Sequence, residues 1–253
     1  MEVVIKADPE EVASEAYETI ASALAKKPDL ALGLATGRTP QRLYRLLRES
    51  RLAFAAARFF NLDEFVGLGP PHRASFWRFL HEHLIDALRV PASNVRFLRG
   101  DAPDLAAECE AYEEAIRARG IDLQILGVGR NGHIAFNEPG SSLGSRTRVK
   151  TLEATSRQDY APMFGDETPP SFSLTMGIGT IMESRRVLLL ATGVEKAQIV
   201  QRMIEGPVMA EVPGSALQFH ARATAIVDEA AASMLARRDY WKWVYANKWR
   251  VGQ

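Results

Sequence analysis

Short apolar or β-branched runs alternate with amphipathic stretches along almost the whole chain, and this alternation leaves few folds open. The runs occupy residues 3–5, 30–35, 59–62, 95–98, 123–128, 187–191 and 225–227. Between them, residues 10–26, 40–50, 75–88, 104–119 and 195–205 place apolar side chains at helical spacing. Strands separated by connections of that length cannot close as hairpins and instead pair in parallel, with the helices returning across the faces of the sheet. The sequence therefore predicts an α/β fold: one domain over residues 1–253, a doubly wound, mostly parallel sheet with helices on both faces. A chain of 253 residues with 47% hydrophobic content can fill one such core. No internal repeat, low-complexity tract or linker interrupts it. Residues 155–170 show little periodicity and contain Gly165, Pro169 and Pro170, which reads as a mobile loop or lid.

Charge and cysteine content remove whole classes of function. Lysine plus arginine equals aspartate plus glutamate at 31 each, so the chain lacks the basic balance of a nucleic-acid binder. A small anionic substrate needs only a local cluster of cations. No apolar run reaches membrane length, and residues 1–27 carry no secretory core, which implies no membrane partner and a cytoplasmic setting. The single cysteine, Cys109, excludes an intramolecular disulfide and reads as a small apolar filler on a helix. No histidine pattern suggests a metal; His81 and His83, two apart on a helix, face different directions. The Trp-rich tail, DYWKWVYANKWRVGQ, reads as a terminal helix packed on the body or on a neighbouring subunit.

The stretch LQILGVGRNGHIAFNEPG, residues 123–140, concentrates the chemistry. A buried strand runs into closely spaced glycines and then delivers Asn131, His133 and Glu138, at the strand end where open α/β sheets bind ligands. Gly127, Gly129 and Gly132, with Glu153 about twenty positions later, satisfy the dinucleotide fingerprint. That fingerprint needs a helix to begin at the last glycines, and Pro139 and Gly140 prevent one. A histidine close to a carboxylate is instead suited to proton transfer.

Two further segments end at the same edge. In LATGRTP, residues 34–40, a strand gives way to Thr36, Gly37, Arg38 and Thr39, with Thr39 as expected N-cap and Pro40 as first helical residue. Free amides at such a helix start can surround a phosphate, although an ordinary capped turn would look the same. In NLDEFVGL, residues 61–68, Asp63 and Glu64 follow an apolar strand. One can face the crevice as a base while the other caps or pairs locally; two solvated loop acids would fit equally.

With LATGRTP, NLDEFVGL, LGVGRNGHIAFNEPGSSLGSRTRVKTL, SLTMGIGT, VLLLATGVEKA and VPGSALQFH in this order, the chain resembles the glucosamine-6-phosphate deaminase (glucosamine-6-phosphate isomerase) family from about residue 30 to residue 228. The resemblance implies cofactor-independent conversion of glucosamine 6-phosphate to fructose 6-phosphate and ammonia, with no metal. It makes His133 the ring-opening group, Glu138 and Asn131 its orienting partners, and Asp63 the base that moves a proton from carbon 2 to carbon 1. It places the phosphate on residues 36–39 with Lys196 as counter-charge. It also aligns residues 145–151 with a segment that binds the activator N-acetylglucosamine 6-phosphate in hexameric relatives; here that segment reads as retained scaffold.

Two positions depart from the family pattern. Asn131 stands where many members carry aspartate, and an amide can hold an imidazole without contributing charge. Typical members have an arginine followed by aromatics in the lid; here Pro162, Met163 and Phe164 occupy that place, and Arg38 is the expected substitute cation. The same departure resembles the galactosamine-6-phosphate branch. A 6-phosphogluconolactonase would share the glycine turn and histidine without needing Asp63 or Asn-Glu-Pro. A sugar-phosphate-sensing regulator would need a DNA-binding segment ahead of the first strand. The oligomeric state stays open, a homo-oligomer included.

Overall fold

The structure, a computed structural model, describes residues 1–248. β1 (Glu2–Lys6) leads into α1 (Pro9–Lys26), whose start is set by Asp8: its Oδ1 accepts the amides of Glu10 and Glu11, and Pro9 opens the helix. Val12, Ala16, Ile20 and Leu24 then form its buried stripe. β2 (Ala31–Leu34), α2 (Arg38–Glu49) and β3 (Arg58–Asn61) follow in the expected places, and β4 (Asp63–Phe65) comes directly after. α3 (Phe76–Leu80), a π-helical turn (His81–Ile85) and α4 (Asp86–Leu88) make up the helical stretch expected over residues 75–88. β5 (Val95–Arg96), α5 (Leu105–Arg119) and β6 (Leu123–Leu126) complete the first half. The second half holds β7 (Arg148–Thr151), α6 (Ala154–Phe164), β8 (Phe172–Thr175), α7 (Ile178–Met182), β9 (Val187–Ala191), α8 (Ala197–Glu205), β10 (Ala223–Asp228) and α9 (Arg238–Asn247).

Among the described residues, seven strands form one parallel sheet in the order β1-β10-β9-β6-β2-β3-β5. From β2 the chain moves one way through β3 to β5, then returns to the other side of β2 and continues through β6, β9 and β10. The direction of winding reverses between β2 and β6, and the crevice above that gap is where such sheets bind ligands. The loops carrying residues 36–39 and 127–133 leave the carboxyl ends of these two strands, so the topology sets them side by side.

A second sheet was not anticipated from the sequence. β4, β8 and β7 pair antiparallel, with Asp63 opposite Thr175 and Arg148 opposite the same threonine. Residues 155–170 also differ from expectation. Instead of a loop, α6 spans Ala154–Phe164 with Pro162 inside its last turn, and only the segment after Gly165 is irregular. The helix docks on an aromatic cluster separate from the main core: Tyr160 and Phe164 pack on Phe65, whose ring also meets Phe76 and Phe136 at 4.8 and 5.3 Å. The terminal helix is present as α9, where Trp241 and Tyr245 pack on the core; the remainder of the Trp-rich tail, from residue 249, lies outside the described residues.

Candidate active site

His133 is fixed on both sides. Its amide donates to Asn131 Oδ1 at 3.2 Å, its carbonyl accepts the Gly129 amide at 2.9 Å, and the ring lies flat over Gly129. Nδ1 faces Glu138 Oε2 at 3.4 Å and Ser156 Oγ at 3.3 Å. A ring nitrogen committed to a carboxylate leaves Nε2 as the atom that can exchange a proton with a ligand. Glu138 is buried, and burial opposes its charge; the hydrogen bond and charge of His133, helped by Ser156 and Asn131, outweigh that and hold the carboxyl below its usual range. Asn131, His133 and Glu138, singled out in the sequence, therefore form one bonded cluster.

Asn131 does more than orient the imidazole. Its Nδ2 donates to Glu138 Oε2 at 2.7 Å and to Glu153 Oε2 at 2.8 Å, and the Glu153 amide donates to Glu138 Oε1 at 3.3 Å. An amide nitrogen satisfies two carboxylates at once, which an aspartate at this position cannot do. Glu153 is thus a site residue that sequence reasoning left out, and so is Ser156. Glu153 was weighed only as the acid of a nucleotide fingerprint, and after β6 the chain enters a turn instead of the helix that fingerprint needs.

Of the two adjacent acids, Glu64 takes the local capping role, and Asp63 is buried apart from it. Successive residues of a strand point to opposite faces, so β4 sends Asp63 and Glu64 in different directions. Glu64 Oε2 accepts Ser75 Oγ at 2.7 Å and the Trp77 amide at 2.9 Å, while Oε1 accepts the amides of Phe65 and Phe76 at 2.9 and 3.1 Å. It caps α3, and burial pushes its carboxyl up to about 7 against those four donors. Asp63, only 6% exposed, is held well above the ordinary range by burial first and by the Glu64 charge second. Its position is locked by Asn61, whose side chain donates to the Asp63 carbonyl at 2.8 Å and accepts the Leu98 amide at 2.9 Å. β4 pairs Asp63 with Thr175, whose Oγ1 accepts the Phe136 amide at 3.0 Å, so Asp63 lies on the strand next to the turn that carries His133 and Glu138.

A cationic pocket adjoins this cluster. Lys196 donates to the Val128 carbonyl at 2.9 Å, tying the loop after β9 to the loop after β6. Burial lowers its ammonium pKa; Glu195 and Asp159 oppose that, and the charges of Arg130 and Arg38 add to it. Lys196 and Arg38 were expected from the sequence; Arg130, two residues beyond the Val128 carbonyl that Lys196 holds, was not. Thr36 and Gly37 lie on the turn between β2 and α2 and Thr39 lies inside α2, so the capping differs from expectation. Gly37, with φ 94°, is the N-cap, no side chain caps the helix, and Arg38 and Thr39 occupy its first turn ahead of Pro40. Glycine permits that backbone angle, and proline inside the first turn removes one donor while the remaining free amides point outward. Thr39 is thus a first-turn residue and not the cap.

α6 covers the crevice, with Ser156 on His133, Asp159 on Arg130 and Tyr160 on Phe136. Two surface hollows elsewhere, one lined by Met182, Arg185 and Phe219 and one by Trp77, Asp86 and Val95, share no residue with it. Cys109 is buried, and burial with Glu108 and Glu113 beside it raises its thiol to about 11, which makes it a poor nucleophile. Among the described residues no group of His, Cys, Asp or Glu is placed to hold a metal ion, and no helix is long and apolar enough to cross a membrane.

Fold and site together define a doubly wound α/β protein with a carboxylate-held imidazole on the loop at its switch point, a lysine bound to that loop, and a buried aspartate on the adjoining small sheet. The chain belongs to the family of glucosamine-6-phosphate isomerases/6-phosphogluconolactonase, whose family model matches residues 7–226. It is 48% identical over 248 residues to the glucosamine-6-phosphate deaminase of Cellvibrio japonicus, covering 96% of this chain and 94% of that one. To the glucosamine-6-phosphate deaminase of Streptomyces coelicolor it is 47% identical over 255 residues, covering 98% of each. The solved structure of a monomeric glucosamine-6-phosphate deaminase superposes with a TM-score of 0.88 at 40% identity, over 92% of this chain and all of that one. The 6-phosphogluconolactonase of Trypanosoma cruzi, at 24% identity and a TM-score of 0.76 over 93% of this chain and 97% of its own, shares the fold.

Proposed function

We propose that this chain converts glucosamine 6-phosphate and water to fructose 6-phosphate and ammonia. The observation that carries the reading is an imidazole whose Nδ1 is held by Glu138, together with a separate buried carboxyl, Asp63, on the strand paired to the threonine that accepts the Phe136 amide of the same turn, its basicity raised by burial. Ring opening needs a group that can take the proton of the anomeric hydroxyl and return one to the ring oxygen, and Nε2 of His133 is free to do both. Glu138 stabilises the imidazolium formed in between, while Asn131 keeps Glu138 aimed. In the open chain, carbon 2 bears the amine next to an aldehyde. Asp63 removes the carbon 2 proton while the ammonium passes one of its protons to the carbon 1 oxygen, giving an enolamine; Asp63 then returns its proton to carbon 1, leaving an iminium at carbon 2. Water adds there, and the nitrogen departs as ammonia. A buried carboxylate is a stronger base than an exposed one, and the substrate's ammonium next to it favours its ionised form. Lys196, Arg38 and the first-turn amides of α2 hold the phosphate at the other end of the crevice.

The relatives' names support this substrate, and the lactonase likeness extends to the fold alone. Residues 145–151 fit a scaffold role better than an effector site: Arg146 is bound to Glu113 and Glu183, Thr147 donates from both its amide and its hydroxyl to Glu113, and Arg148 donates to Asn137 at 3.0 Å. Arg146 and Thr147 thus tie the segment to Glu113 and Glu183, while Arg148 holds Asn137 and through it the turn that presents Glu138. The test is ammonia release measured in parallel with glucosamine 6-phosphate and galactosamine 6-phosphate. The expected result is turnover of the first with at least tenfold lower kcat/KM for the second. Preference for the galacto sugar would move the assignment to that branch, and no ammonia from either would end it.

A further inference from the structure

We propose that Arg130 is the cation that receives the substrate phosphate, and that Asp159 holds its place until the phosphate arrives. This rests on the phosphate pocket described above and names a residue that the sequence reading did not assign. Arg130 sits on the turn after β6, two residues from the Val128 carbonyl that anchors Lys196. Its guanidinium is 53% exposed and grips the Asp159 carboxylate two-pronged, through Nε to Oδ2 at 3.2 Å and through a terminal nitrogen to Oδ1. Asp159 is about one turn along α6 from Ser156, which faces His133, so the pair ties the covering helix to the loop that anchors Lys196.

A guanidinium presents the same two parallel N–H groups to a carboxylate and to a phosphate. Asp159 therefore occupies the directions a phosphate would use. It offers one negative charge, whereas a sugar phosphate carries about two at neutral pH and also reaches Lys196, Arg38 and the α2 amides. The phosphate wins that exchange. Displacing Asp159 need not unseat α6, because Ser156 holds its first turn to His133 and Tyr160 and Phe164 hold its inner face in the aromatic cluster. The covering helix thus carries a carboxylate that competes with the ligand, and affinity for phosphate is set by the difference between two anions on Arg130.

Inorganic phosphate serves as the probe, as a competitive inhibitor of ammonia release, beside KM for glucosamine 6-phosphate at low and high salt. Asp159→Asn should lower both Ki and KM a few-fold, the worth of an exposed ion pair. Arg130→Ala should raise both roughly tenfold, the worth of charged hydrogen bonds, and Arg130→Lys should fall between, since it keeps the charge without the fork. In the Arg130→Ala background, Asp159→Asn should change neither constant. Thermal melts of each variant confirm folding, and Arg130→Lys carries the test if the alanine variant does not fold. Unchanged constants in the Arg130 and Asp159 variants, with Lys196→Ala still raising KM and Ki, overturn the exchange and leave the pocket standing. Unchanged constants in the Lys196 variant as well overturn both.

Discussion

Asp63→Asn should yield an enzyme that still binds the amino-sugar phosphate, turns it over about 10²–10⁴-fold more slowly, and melts at a higher temperature than the parent. Both effects come from one circumstance. Burial, then the neighbouring Glu64 charge, hold the Asp63 carboxyl well above its ordinary range, whereas in the unfolded chain it returns to about 3.9. Between those two values the native state binds the proton and the unfolded state does not, so stability falls as pH rises through that window. The cost is largest once pH passes the folded value. An amide of the same shape removes the charge and hence the cost, along with the base. The gain should have largely faded near pH 4, where the carboxyl is protonated in the native state and about half protonated in the unfolded one. Melting curves from pH 4 to 8, combined with solvent-proton exchange at carbon 2 of the bound sugar, test both halves. An Asn variant with normal exchange would remove Asp63 from its role, and one that melts lower at neutral pH would show that its charge is satisfied by partners.

Glu64→Gln is the control, and the expected gain is smaller or reversed. Ser75 and Trp77 both donate to Oε2, and Phe65 and Phe76 both donate to Oε1. A glutamine places an NH2 against one of those pairs and leaves buried donors facing a donor, at a cost of about 1–3 kcal/mol. Removing the Glu64 charge also removes a cost, since burial raises that carboxyl to about 7, but the four donors set against the new NH2 should make the gain smaller than at Asp63 or reverse it.

What could be read in the sequence and what could not follows from how each element earns its place. The strands of the parallel sheet are buried on both faces and show as continuous apolar runs such as VLLLA at Val187–Ala191. β4, β7 and β8 are three or four residues long and β7 is only half covered, so RVKT carries no such run. Their placement depends on one another and not on local pattern. α6 escaped notice for a different reason. Its inner stripe, Ser156, Tyr160 and Phe164, is helical in spacing, but it begins with a serine because that turn faces the polar His133 cluster and not the core. A helix lining a site loses the hydrophobic signature by which helices are found. Arg130 lies within, and Glu153 directly after, the longest of the matching stretches. Their roles depend on Asp159 and Asn131, which only the closure of α6 and the turn after β6 bring to them.

Gly129→Ala should lower turnover about 10²-fold or more, through position alone. Gly129 has no left-handed backbone angle, so alanine can adopt its conformation. A methyl group there, however, would stand 2.3 Å from Cε1 and 2.4 Å from Nε2 of His133, well inside contact distance. The ring must leave its plane or the turn must open, and displacement of a reacting group by about 1 Å can cost that much rate. The neighbouring glycines have other reasons. Gly132 takes φ 92° and backs onto Ile199 and Val212, while a side chain at Gly127 would meet nothing within 4 Å. Three glycines that imitate a nucleotide fingerprint thus reduce to one turn, one seat for an imidazole and one position without steric demand. The seat can be isolated with a double-mutant cycle. In a His133→Ala background, Gly129→Ala should cost almost nothing further, because the methyl enters the space the ring has left. Steady-state kcat/KM for the four combinations, with melting temperatures alongside, decides it. Equal losses in both backgrounds would mean that the glycine serves the turn itself, and the imidazole would then owe its position to Glu138, Ser156 and Asn131 alone.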